Sequence, residues 1–197
     1  MNNLLALPVV LPLLGSLLAL VWPRRADWAG LGASVAAFVA AGHIGAEVMR
    51  NATLELAVGG WAPGLGIALR ADGLSASLLL MSTLVALAAG LYATTYFAEA
   101  QKRADFWPLW LLMITALHAL LLSGDLFNIY VTLELLGLAA VALAALGGSR
   151  AALQAAVRYL TVGLLGSLAF LTGVGLIYAA YSTLDMVMLA GRVDAEP

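Results

Sequence analysis

The sequence predicts an all-α membrane protein with about six transmembrane helices and one short extramembrane β-hairpin between the second and third. Three observations predict it. The 197 residues are 63% hydrophobic and 10% charged, with a mean hydropathy of +1.01, a balance far from that of an ordinary soluble domain. Six charge-poor stretches approach or exceed the length needed to cross a bilayer. Most of the charged residues gather in the breaks between them, one of which is turn-rich. The expected organisation is a single polytopic membrane domain over residues 1–197.

The same composition narrows the function. A formal charge of −2 supplies no basic patch, so nucleic acid is not an expected partner. The absence of cysteine excludes disulfides, thiolate metal sites and cysteine-held clusters, and two isolated histidines offer no metal site. No cofactor is expected in this chain, and redox chemistry would belong to a partner.

Residues 4–22 form an uncharged apolar run followed by Pro23-Arg24-Arg25. The start lacks the basic region of a signal peptide and the arginines follow the run, the pattern of a retained helix with its N-terminus outside. Residues 28–47 form a second, alanine-rich span suited to close packing, with His43 placed at the interface. Between Arg50 and Asp72 the texture changes to two loosely alternating runs, Thr53 to Val58 and Ile67 to Arg70, around the turn-rich Gly59-Gly60-Trp61-Ala62-Pro63-Gly64-Leu65-Gly66. This reads as the hairpin. Asp72 then caps a third span over 74–97.

Glu99 to Asp105 reads as a charged loop. The fourth span covers 106–122, with Trp107 and Trp110 placed as an interfacial belt. His118 stands near its outer end, a few residues before the Ser123-Gly124-Asp125 break, where it could approach Glu134 across an antiparallel turn. A relay role and a helix–helix hydrogen bond both fit it. Asp125 and Asn128 fall in the first turn of a fifth span over 126–146, where acceptors satisfy free N–H groups.

Glu134 is the residue around which the chain is organised. It lies about 12 Å inside the fifth span at 1.5 Å per residue. An ionised carboxylate there is costly unless it meets a cation, water or a proton, so it marks a functional site by default, against the plainer reading of a packing hydrogen bond. A sixth apolar segment over 151–181 is long enough to tilt or to project beyond the bilayer. It carries Arg158 and the small residues Gly163, Gly166, Ser167, Gly173 and Gly175. Arg158 fits both snorkelling to the surface and a bundle-interior role, with an expected axial offset from Glu134 of roughly 8 Å.

Basic residues set the orientation. With the N-terminus outside, the inner loops hold Arg24, Arg25, Lys102, Arg103 and Arg150, and the outer segments hold only Arg50, Arg70 and Arg192. The excess favours N-out insertion in the cell's inner (cytoplasmic) membrane, with the hairpin outside.

Taken together, Gly59-Gly60-Trp61-Ala62-Pro63, Gly66-Ile67, Asp72 with Leu74-Ser75, Gly124-Asp125-Leu126-Phe127-Asn128-Ile129-Tyr130 with Glu134, and Arg158-Tyr159-Leu160 with Gly166-Ser167 resemble the antiporter-like membrane subunits shared by Mrp-type cation/proton antiporters and respiratory complex I. The D component of the former and the M and N components of the latter are the nearest likenesses. The resemblance implies an ion-translocating bundle moving protons or sodium, with Glu134 as its coupling carboxylate. Relatives often carry lysine at the position of Arg158. Arginine keeps the charge but is a poor proton donor and acceptor, so Arg158 is expected to tune Glu134 or order water.

The resemblance also implies further helices beyond Thr183-Leu184-Asp185-Met186, and therefore partner membrane subunits, one of them supplying those helices. Whether the chain is a split subunit, a truncated product or a fragment stays open at this point, as does a non-transporting scaffold role. No nucleophile turn with a Ser–His constellation appears, so no catalytic residue is expected.

Overall fold

The computed structural model describes residues 2–60 and 66–193. The expected hairpin turn at Trp61 to Leu65 lies outside the described residues. Helix α1 (Leu7–Val21) follows a short 3₁₀ turn, and α2 (Ala26–Asn51) leads into strands β1 (Leu54–Ala57) and β2 (Ala68–Ala71). Helices α3 (Gly73–Tyr96), α4 (Ala100–Leu121), α5 (Leu126–Ala145), α6 (Arg150–Tyr181) and the short α7 (Met186–Val193) complete the order. Among the described residues, six helices are long and apolar enough to cross a membrane, and the protein is a multi-pass membrane protein.

The first four helices form a bundle. α1 packs between α2 and α4, α3 lies on α2, and α5 joins through α4. Because lipid offers no hydrophobic drive for helices to associate, close fit must supply it. Most of the buried face of α2 is accordingly small, with Gly30, Ser34, Ala37, Ala40 and Ala41, and Ile44 and Val48 join it toward the sheet end. Trp107 of α4 lies fully buried over Gly30, and a side chain added at Gly30 would run into its ring. α6 stands apart, with α5 as its principal neighbour and only Ala156 and Val174 buried.

At one end of the bundle the backbone is tied into a small sheet. β1 and β2 pair antiparallel with Leu54 opposite Ala71 and Ala57 opposite Ala68, and Arg70 meets Glu55 across the pair at 3.4 Å. The break between α4 and α5 lies along the free edge of β2. The Arg70 N–H donates to the Leu122 carbonyl and the Gly124 N–H to the Ala68 carbonyl, both at 2.7 Å. On its other side the same break holds the α6–α7 connection: the Leu126 N–H donates to Leu184 at 3.0 Å and the Met186 N–H to Gly124 at 3.1 Å. Glycine suits position 124, since a Cβ there would sit 3.0 Å from the Ala68 carbonyl oxygen and press on the strand.

Several elements differ from the sequence expectation. α2 starts at Ala26 and runs to Asn51, beyond 28–47 at both ends. Residues expected as a charged loop form the first turns of α4 from Ala100. The polar side chains there support one another at helical spacing, Lys102 on Glu99 at 2.8 Å and Gln101 on Asp105 at 2.9 Å, so the helix continues past the apolar segment. Trp107 is a core residue and no belt residue, because the carboxylate of Asp27 takes its indole N–H at 2.7 Å and removes the need to reach the interface. α7, capped by Asp185 Oδ1 accepting from the Val187 and Met188 N–H groups, was not expected from the sequence.

Candidate functional site

α5 begins where the sheet ends. Asp125 is buried, and its two carboxylate oxygens divide between two elements: Oδ1 accepts from the Asn128 N–H at 2.7 Å, closing the first turn of α5, while Oδ2 accepts from the Ala68 N–H of β2 at 3.1 Å. Both are charge-assisted hydrogen bonds to backbone, which let a carboxylate stay buried without a cation. Asn128 is no cap. Its Nδ2 donates to Ser123 Oγ at 2.8 Å, and Ser123 Oγ passes its own proton bond back to the Ala119 carbonyl of α4 at 2.8 Å. The position of α5 is thereby fixed against α4 and β2 together. At the start of α3, Asp72 exchanges hydrogen bonds with Ser75, accepting from its N–H at 2.9 Å while the Ser75 hydroxyl accepts from the Asp72 N–H at 2.7 Å.

Two turns down α5 from this anchor lies Glu134. It faces a groove of about 270 Å³ between α5 and α6, where Tyr130 on its own helix and Tyr159 and Ser167 on the other supply the remaining polar side chains and Gly137, Gly163 and Gly166 leave the space. The carboxylate is half-buried. The Tyr130 ring stacks on Phe170 across the groove at 6.4 Å and 12°, which fixes the antiparallel register of the two helices. Position 134 is then level with position 166. The groove presents an acid, two phenols and a hydroxyl at membrane depth, a set able to take up and pass a proton or to help desolvate a small cation.

Arg158 is not brought to it. Counting from the level of Gly166, Arg158 stands eight residues away, about 12 Å along α6, against the 8 Å expected. It is exposed and absent from the groove lining. The helices are staggered by their long contact at Tyr130 and Phe170, which the sequence alone did not reveal. This depth is close to the end of α5 and suits a guanidinium snorkelling to the headgroup layer.

His118 also turns elsewhere. It is fully buried, and its Nδ1 lies 2.8 Å from the Pro8 carbonyl of α1. Pro12, inside α1, has no N–H to give the carbonyl four residues before it, so Pro8 is left without its helical donor. A carbonyl only accepts, which places the proton on Nδ1 and makes His118 the replacement donor. Nε2 is buried with no partner among the described residues.

The part of the chain that holds this groove matches known proteins. Residues 123–195, which contain the whole α5–α6 groove, match the family model for the NADH:quinone oxidoreductase/Mrp antiporter transmembrane region. The D component of the Na(+)/H(+) antiporter of Bacillus subtilis (strain 168) is 31% identical over 197 residues, covering 98% of this chain and 40% of that protein. The chain belongs to the antiporter-like subunit family shared by Mrp-type antiporters and respiratory complex I. On the complex I side, this antiporter-like subunit is 41% identical over 135 residues to the N component of the NADH-quinone oxidoreductase of Desulforudis audaxviator (strain MP104C), covering 68% of this chain and 27% of that protein. In three dimensions it superposes on a chain of the Mrp complex from Dietzia sp. DQ12-45-1b with a TM-score of 0.82 and 31% identity, covering 94% of this chain and 36% of that one. The antiporter-like subunit thus spans about two fifths or less of the length of these relatives.

Sequence reasoning did not single out Tyr130 as part of the site, although it stands one turn before Glu134 and so on the same helix face. Ser167 was visible only in a small-residue series and in the family resemblance, with no role attached. Asp27 was missed altogether. Its partner Trp107 is 80 residues away, and the only sequence signal was an acid in the first turn of a helix behind two arginines.

Proposed function

We propose that this antiporter-like subunit takes part in proton or sodium/proton translocation within a multisubunit complex of the Mrp or complex I-like type, with Glu134 as the coupling carboxylate. The observation that carries the reading is the position of Glu134: an acid two turns inside a membrane helix, opening on a groove lined by Tyr130 and Ser167. A carboxylic acid can carry a proton or, as the anion, pair with a cation, so one side chain in this groove would exchange the one for the other as an ion moves through. Partner membrane subunits fit the exposed surface of α6, and one of them, or a continuation of the fold, would supply the helices that the longer relatives possess. In this arrangement Arg158 acts at the surface and His118 holds α1 to α4. The protein would sit in the inner membrane with its N-terminus and the hairpin outside.

Ion flux through reconstituted complexes with and without this protein tests the proposal. Loss of coupled flux from an otherwise complete complex supports transport, and unchanged flux supports a scaffold role instead. Orientation has its own test. Cysteines placed at Lys102 and Arg150 are expected to react with an impermeant reagent from the cytoplasmic side and one at Ala57 from the outside; the reverse pattern would overturn the topology.

A further inference from the structure

At the end of the bundle opposite the sheet, the ends of α3, α4 and α5 border an open cleft of about 530 Å³, apart from the α5–α6 groove. One wall is aromatic: the Phe97 ring lies 5.2 Å from Phe106, which stacks on Trp110 at 5.5 Å. The facing wall is aliphatic and includes Leu143 of α5 and Leu146 just beyond its end. Two charges stand at the rim, Glu99 and Lys102, paired at 2.8 Å. The indole N–H of Trp110 is buried with no acceptor among the described residues, a donor that the chain by itself leaves unsatisfied.

Polarity in this cavity runs in one direction. From Lys102 to Trp110 is eight residues, about 12 Å along α4, which covers a headgroup layer of about 5–8 Å and the first part of the acyl region. The rim is charged, and the deeper walls are apolar. That profile matches a phospholipid standing along the bilayer normal better than a partner helix, whose side chains would meet the same chemistry at every turn.

The rim also selects the headgroup. Lys102 is already balanced by Glu99, so the site presents a positive and a negative group side by side. An anionic headgroup would gain Lys102 but confront Glu99, whereas a headgroup with both phosphate and ammonium meets each with its opposite. A primary ammonium also keeps three N–H donors for the Glu99 carboxylate, which a trimethylated one lacks. We propose that this cleft binds one zwitterionic phospholipid of the ethanolamine type, with phosphate at Lys102, ammonium at Glu99 and an acyl chain between the aromatic wall and Leu146. This inference stands independently of the role of Glu134.

The test uses the assembled, delipidated complex exposed to phosphatidylethanolamine or phosphatidylglycerol with identical acyl chains, with retained lipid read by native mass spectrometry. The wild type is expected to retain the ethanolamine lipid about tenfold more readily, equivalent to about 1.4 kcal/mol. Glu99→Gln should bring the two lipids close to parity, and Lys102→Ala should weaken both. Equal retention of the two lipids by the wild type, an unchanged preference in Glu99→Gln, or a cleft covered by a neighbouring protein chain and empty of lipid would each overturn the proposal.

Discussion

Removing Asp27 should loosen the bundle at the end away from the sheet, and the structure gives the size of the effect. Asp27 Oδ1 accepts the Trp107 indole N–H at 2.7 Å, and Oδ2 lies 3.2 Å from Arg103 Nε. Trp107 is 0% exposed, so in Asp27→Ala its donor is stranded out of reach of water, at a cost of about 1–3 kcal/mol. The Arg103 interaction adds little. Both side chains are about one third exposed, which screens the pair to roughly 0–1 kcal/mol, and Arg103 keeps its bond to the Thr94 carbonyl at 3.1 Å. Asp27→Asn retains an acceptor for the indole and should lose roughly 1 kcal/mol or less. Arg103→Ala should likewise cost less than Asp27→Ala. Thermal unfolding of the purified protein, followed by loss of the monodisperse peak on size exclusion, ranks the variants. In Trp107→Phe the stranded donor is absent, so the further cost of Asp27→Ala should shrink in that background. An Asp27→Ala protein as stable as wild type, or one no less stable than Arg103→Ala, would refute the assignment of the indole bond as the main contribution.

His118→Ala should leave the Pro8 carbonyl without a donor and cost about 1–3 kcal/mol, lowering the unfolding temperature while coupled flux per folded complex stays near wild type; a selective loss of flux would return His118 to a relay role. At the start of α3, the Ser75 N–H and then its hydroxyl hold the Asp72 carboxyl below the usual carboxylate range. A depressed folded-state value means that the cap contributes its stability above the unfolded value of about 3.9 and loses it as pH falls through the folded value. Asp72→Ala is therefore expected to be less stable by about 0.5–2 kcal/mol at neutral pH, with the gap to wild type closing below about pH 4; a gap independent of pH would contradict the cap.

Much of the fold could be read from the sequence because apolar runs, small residues and punctuation are local signals. The spans needed only length and charge, and the hairpin needed only alternation around a glycine-rich turn. What escaped depended on polar side-chain pairs, which apolar patterning does not show and most of which are distant along the chain. The first turns of α4 looked like a loop because their stability comes from Lys102, Gln101 and Arg103 finding partners. Trp107 looked interfacial because nothing in its own neighbourhood announced Asp27. His118 was placed toward Glu134 by proximity in sequence, whereas the carbonyl freed by Pro12 draws it to α1. The candidate site was half legible. Glu134 stood out as an acid in an apolar run, but the groove beside it depends on the register set by Tyr130 and Phe170, and that register moves Arg158 away from it.

The central claim is that Glu134 exchanges a proton or cation during coupled transport. Glu134→Gln keeps the shape and hydrogen-bonding capacity of the side chain and removes its titration, and Glu134→Asp keeps the acid with a shorter reach. The decisive measurement is proton or sodium flux in the reconstituted, fully assembled complex, with the content of each component quantified in the same vesicles. The expected result is normal assembly with coupled flux abolished in Glu134→Gln and only reduced in Glu134→Asp. Wild-type flux from a normally assembled Glu134→Gln complex would contradict the account and leave Glu134 as a packing residue.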